Sequence, residues 1–168
     1  MGTTTNKKTS MFMLINLYDW HTKLFRNVID GISDKDAQNR LGTKANHVAW
    51  LTGSLVNERY QLAKFMNVNM QQTSEELFED HKGIQDNITY PSLSEFKKDW
   101  ESISPVLKDA MMNVSEEQLN GADPFNMPGG PSTFFDTIIA CMDRESYCIG
   151  QIGLYRRLLG YEAMKYSE

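Results

Sequence analysis

A chain of 168 residues, 40% of them hydrophobic and 23% charged, has enough apolar material for one compact domain without a disulfide or metal staple. Its net charge of −5 excludes the clustered positive surface that non-specific nucleic-acid binding needs, and its densest basic spots are only the pairs Lys7-Lys8, Lys97-Lys98 and Arg156-Arg157. The polar N-terminal stretch has no long apolar run behind it, so neither a signal peptide nor a membrane span is expected.

Helical spacing dominates from there on. Residues 1–8 are polar and expected to be frayed. A first long helix is predicted over residues 10–30, with Phe12, Ile15, Leu17, Leu24, Phe25, Val28 and Ile29 on its buried side and Gly31 as its stop. A short helix over residues 34–40 follows, with Ser33 as N-cap and Leu41-Gly42 closing it. A second long helix is predicted over residues 44–66, where Val48, Leu51, Leu55, Leu62 and Phe65 recur at helical spacing. Gly53 inside it costs about 1 kcal/mol of propensity against alanine, which points to a closely approaching helix.

Residues 67–91 form the longest irregular stretch, with one short helix over residues 74–80. Loops of that length in compact domains are often functional or mobile. Ser92-Leu93-Ser94-Glu95 is a capping box and opens a third long helix with the stripe Phe96, Trp100, Ile103 and Leu107. Pro105 is expected to kink it. A second capping box, Ser115 to Gln118, opens a short helix, and residues 121–131 form a loop. Ser132 or Thr133 then caps a fourth long helix ending at Leu159, with Gly160 beyond it. Its buried stripe is Phe134, Ile138, Cys141, Cys148, Ile152, Tyr155 and Leu159, while Gly150 and Gly153 point to a second backbone passing closely. The pattern predicts an all-α fold in one domain spanning residues 1–168, with four long helices and one long crossover.

The two cysteines, Cys141 and Cys148, lie seven apart on one helix. At about 1.5 Å per residue they are about 10.5 Å apart along the axis. That exceeds the roughly 7 Å that a disulfide tolerates. Free thiols fit a reducing, cytoplasmic setting.

The segments Asn46-His47-Val48-Ala49-Trp50, Tyr147, Gly150-Gln151-Ile152 and Arg156-Arg157-Leu158-Leu159-Gly160 resemble those of the DinB/YfiT-like four-helix-bundle family. The resemblance implies such a bundle with one long crossover. It also implies a zinc or nickel ion held by three histidines: one in the Asn-His-x-x-Trp segment and two in a His-x-x-x-His pair on the last helix. Some members use the metal to activate a low-molecular-weight thiol such as bacillithiol or mycothiol. In this chain the paired positions hold Arg144 and Cys148, so His47 alone is kept. A guanidinium has no lone pair to give, and its fixed charge opposes a dication. The expectation is therefore a lost or altered metal centre with no cofactor, the alternative being zinc or nickel at His47. The family's name implies a stress-linked, DNA-damage-inducible role, without DNA binding.

His47, Arg144 and Cys148 are the expected pocket residues. Arg144 and Cys148 are one helical turn apart, with Cβ atoms about 5–6 Å from each other. Arg144 would supply a fixed cation for an anionic small molecule and hold Cys148 partly as thiolate. In the structural alternative Arg144 pairs with an acidic residue such as Glu58, Cys148 is inert core, and His47 is a satisfied helix-face histidine. Asp143 and Glu145 point about 100° to either side of Arg144 and are poorly aimed at a shared ion. His21 is expected packed or at the surface, and His81 solvated.

Three functions follow as expectations. The first is a diverged family member with a small-molecule pocket, an anion being one class of ligand for it. The second is a metal- or thiol-dependent transferase using His47 and Cys148. The third is a non-catalytic homodimer. The expected partners are a small molecule and a second copy of the chain, with neither nucleic acid nor membrane.

Overall fold

The computed structural model describes residues 7–126 and 129–167. The fold is all-α: α1 (Lys7–Ile29), α2 (Asp34–Ala37), α3 (Val48–Phe65), α4 (Leu93–Asn113), α5 (Glu116–Asn120) and α6 (Phe134–Leu158). Two short 3₁₀ turns, Glu75–Leu77 and Glu79–His81, lie in the long connection between α3 and α4. Among the described residues the only extended pairing is an isolated bridge between Ala122 and Thr133. Each long helix packs on two of the others: α1 and α3 both lie against α4 and α6. No helix among the described residues is long and apolar enough to cross a membrane.

The helix starts follow local chemistry. Ser33, Ser92, Ser115 and Thr133 each accept a backbone N–H through the side-chain oxygen, and the last three close full capping boxes. These hydrogen bonds satisfy N–H groups that the helix cannot reach itself. α3 begins at Val48 rather than residue 44, because His47 is itself the N-cap. α1 already includes Lys7 and Lys8, against the expected fraying of residues 1–8, and residues 1–6 lie outside the described residues. α4 runs unbroken through Pro105. Gly31 and Gly160, with φ of +72° and +88°, supply the left-handed turns that end α1 and α6.

The stripes of α3, α4 and α6 are buried as expected, with Phe65 and Leu159 only half-buried. In α1, Ile15, Leu24, Phe25, Val28 and Ile29 are buried as expected, whereas Phe12 and Leu17 are exposed and Met11, Tyr18 and His21 face inward. Tyr18 and His21 meet buried partners there, Ser104 O and the Glu145 carboxylate.

A Cβ on Gly53 would come within 2.3 Å of Phe78 Cζ and 2.6 Å of Phe96 Cζ. The close approach is therefore by two aromatic rings, from α4 and from the long connection, not by a helix backbone. Gly53→Ala should cost about 1–3 kcal/mol in urea unfolding, as overpacked cores do. Gly150 behaves in the opposite way. It is exposed, and nothing lies within 4 Å of its Cβ position, so no second backbone passes there. Gly153 meets only Val28 Cγ2 at an ordinary 3.7 Å. Gly150→Ala is expected to raise stability by up to about 1 kcal/mol, read from the same unfolding curves.

The middle of the helical core is polar. Arg59 is 1% exposed and lies between the rings of Tyr18 and Trp100, at 3.9 and 3.4 Å from their centroids. It donates to both carboxylate oxygens of Glu145, at 2.6 and 2.9 Å, and to Thr22 Oγ1 and Ser104 Oγ. His21 Nδ1 lies 3.1 Å from the same carboxylate. Burial alone would raise the Glu145 pKa, but the Arg59 charge and its hydrogen bonds, with His21 added, hold it below its ordinary value. Arg156 acts at the other end of the core. Its guanidinium donates to Val28 O and Asp30 O, so it covers carbonyls at the C-terminus of α1.

Candidate functional site

A cavity of about 220 Å³ opens between α3 and α6. The α3 side carries Trp50, Ser54 and Glu58, spaced four residues apart on one face. The α6 side carries Thr137, Cys141 and Arg144. Phe78, His81 and Lys82 from the α3–α4 connection cover it, together with Phe125 and Pro131 from the loop before α6. The long connection thus contributes a wall.

Arg144 spans the cavity. Nη1 donates to Glu58 Oε2 at 2.9 Å and Nη2 to Ser54 Oγ at 2.6 Å. The other Glu58 oxygen, Oε1, is buried and has no partner among the described residues, and the same holds for Trp50 Nε1. Burial pushes the Glu58 carboxyl up to about 7, outweighing the attraction of Arg144. The side chain is 15% exposed on average, so the buried oxygen is its inner one.

The three sequence-predicted residues do not meet in this cavity. Arg144 lines it, whereas His47 and Cys148 are absent from its wall. Ser54, the hydroxyl that Arg144 holds, lies about 10 Å along α3 from the His47 cap at about 1.5 Å per residue. His47 is 4% exposed; its Nδ1 accepts the Trp50 backbone N–H at 3.1 Å and its ring meets Tyr90 edge-on at 5.2 Å. Burial lowers its pKa, which suits an acceptor nitrogen. His47→Ala should therefore cost about 1 kcal/mol in unfolding free energy through loss of the cap alone.

Cys148 is buried in the core, and burial raises its pKa despite the nearby Arg144. A partly ionised thiol is opposed first by this burial and then by Glu58, which pairs with Arg144 and adds negative charge nearby. Cys141, about two turns earlier on α6, lines the cavity in place of Cys148, and burial raises its pKa further still. His81 is exposed at the cavity mouth.

His47 does not fit a three-ligand metal centre. One ring nitrogen is engaged as a cap, and the facing positions hold Arg144 and Cys148. Among the described residues no three His, Cys, Asp or Glu side chains are grouped to hold an ion. Sequence reasoning named Glu58 as a partner for Arg144 and Trp50 as part of the resembling segment, and passed over Ser54. Their four-residue spacing was the available signal.

No family model matches the chain, and no curated protein is similar to it in sequence. Among solved structures it is similar to a conserved protein from Enterococcus faecalis. The TM-score is 0.67 at 15% identity, over 88% of this chain and 95% of that one. A likeness at that identity shows the shared fold alone.

Proposed function

We propose that this protein binds a small molecule in the cavity between α3 and α6. We further propose that its scaffold is a diverged DinB/YfiT-like four-helix bundle with an altered metal centre. One observation carries the ligand reading: a cavity of about 220 Å³ between α3 and α6 combines the aromatic side chains of Trp50, Phe78 and Phe125 with the polar groups of Ser54, Glu58 and Arg144. Two of its lining residues, Trp50 and Glu58, also carry a buried polar atom with no partner among the described residues, and each such atom costs about 1–3 kcal/mol. Aromatic walls from Trp50, Phe78 and Phe125 supply the apolar contact typical of ligand sites. The scaffold reading is supported by the Asn46-His47-x-x-Trp50 and Gly150-Gln151-Ile152 segments and by the order of the long helices.

Ala140 lines the cavity, and Ala140→Phe fills it. In an NMR screen of small polar compounds, the parent protein should give ligands that shift the signals of Ser54, Glu58 and Arg144. Ala140→Phe should lose them while keeping its fold. Equal binding by the filled variant would remove the cavity from the function. For the metal, protein purified without a histidine tag should carry well under one zinc or nickel per chain by elemental analysis. A full equivalent that is lost in His47→Ala would contradict the altered centre.

A further inference from the structure

The outer face of α6 is apolar and carries an unexplained glycine. Tyr147 is 69% exposed, and Leu154 and Leu158 are each 60% exposed. Gly150 lies among them, exposed, with nothing within 4 Å of its Cβ position. A glycine inside a helix costs about 1 kcal/mol against alanine, and here no turn and no neighbour in the chain requires it. What such a bare position permits is the close approach of another backbone.

The charges on this face are arranged about that glycine. Asp143, Tyr147, Gly150, Leu154 and Arg157 follow one another at spacings of four, three, four and three, so they form one stripe along α6. Asp143 stands seven residues before Gly150, and Arg157 stands seven residues after it. Asp143 is exposed and has no partner among the described residues. The Arg157 side chain is 56% exposed; it donates to Tyr161 O at 3.0 Å and lies 3.9 Å from the fully exposed carboxylate of Glu162. Both charges are therefore open to an outside partner.

We propose that a second copy of the chain docks on this face, the two α6 helices running antiparallel and crossing at Gly150. A two-fold axis through that point sets Asp143 of each copy opposite Arg157 of the other, so one contact forms two ion pairs. It also brings Tyr147 beside Leu154 of the second copy and sets the two glycines face to face, where the backbones come closest. One helix carries both halves of the charge pattern, which is why the occupant is a copy and not a different protein. A parallel pairing about a two-fold axis would instead set Asp143 against Asp143 and Arg157 against Arg157. A single helix face supplies less than the roughly 800 Å² per partner of a standard interface, so the dimer is a weak one in equilibrium with monomer.

Sedimentation velocity over a concentration series at low salt tests this. The parent should show a monomer–dimer equilibrium. Asp143→Arg and Arg157→Asp each turn both ion pairs repulsive, and each should weaken the dimer about tenfold. Mixed in equal amounts, the two variants should recover dimers as tight as the parent's, because every facing pair is then opposite in charge. Both positions are exposed, so neither change disturbs the core. Gly150→Leu should remove the dimer without lowering the unfolding free energy of the monomer, since leucine favours a helix more than glycine does. A parent that stays monomeric up to about 1 mM would overturn the proposal. A dimer that survives all three substitutions would place the interface on another face, such as that of Phe12 and Met112, and would overturn it too. Failure to recover on mixing would contradict the antiparallel register.

Discussion

Glu145→Ala is expected to destabilise the fold by about 3–5 kcal/mol, the cost of leaving one member of a buried ion pair without its partner. Arg59 and Glu145 side chains are each 1% exposed, and Glu145 takes two of the guanidinium's hydrogen bonds. With Glu145 gone, the charge stays fixed between Tyr18 and Trp100, where water cannot replace the carboxylate. Such a loss is a large share of the roughly 5–15 kcal/mol that holds an ordinary domain together. Urea unfolding measures it. Arg59→Met combined with Glu145→Leu should recover most of the loss, since matched apolar groups often replace a buried pair at little cost. A loss below about 1 kcal/mol for Glu145→Ala would show that the carboxylate is not what compensates Arg59.

Glu58→Gln is expected to change how stability depends on pH. Burial raises the Glu58 carboxyl from 4.5 to about 7 in the folded chain. Between those values the folded protein binds a proton that the unfolded chain has released. Stability from this group is fully present below about 4.5 and is lost as pH rises through about 7. At about 1.36 kcal/mol per pH unit, discounted for the side chain's 15% exposure, the loss is about 2–3 kcal/mol. Glutamine has no such titration. The difference in unfolding free energy between variant and parent should therefore shift by about 2–3 kcal/mol in the variant's favour from pH 4 to pH 8. Other titrating groups are common to both proteins. A difference that stays constant over that range would mean that Glu58 is not held protonated by burial.

Both residues show where sequence reading stopped. Helices were legible because capping and periodicity are local. Ser92 with Glu95 and Ser115 with Gln118 announce their own helix starts, and the α4 stripe is read correctly to the residue. His47 misled by one register. It was placed inside a helix, but its ring accepts the Trp50 N–H as an N-cap, a role rarely taken by histidine. Glu145 and His21 could not be paired from sequence, because the partners are 124 residues apart and on different helices. Acidic, basic and imidazole groups at those positions look like solvated faces until the helices are set against one another. Phe12 and Leu17 were assigned to the core on hydrophobicity alone, whereas the inward positions of α1 include Tyr18 and His21, which bond to Ser104 O and the Glu145 carboxylate.

The same gap explains the candidate site. Arg144 was singled out as an odd residue at a family ligand position, and the structure places it on the cavity wall. Its pairing with Glu58 was one of two alternatives weighed. The choice between them required knowing how deep α3 and α6 bury that pair. What the sequence did not signal is that the pairing leaves one Glu58 oxygen buried without a partner among the described residues.

A crystal structure of the protein soaked with the small polar compounds that shift the Ser54, Glu58 and Arg144 signals tests the cavity as a ligand site most directly. The account predicts one molecule between α3 and α6, against Ser54, Glu58 and Arg144. A cavity holding only ordered water, with the compounds bound elsewhere on the protein, would contradict it.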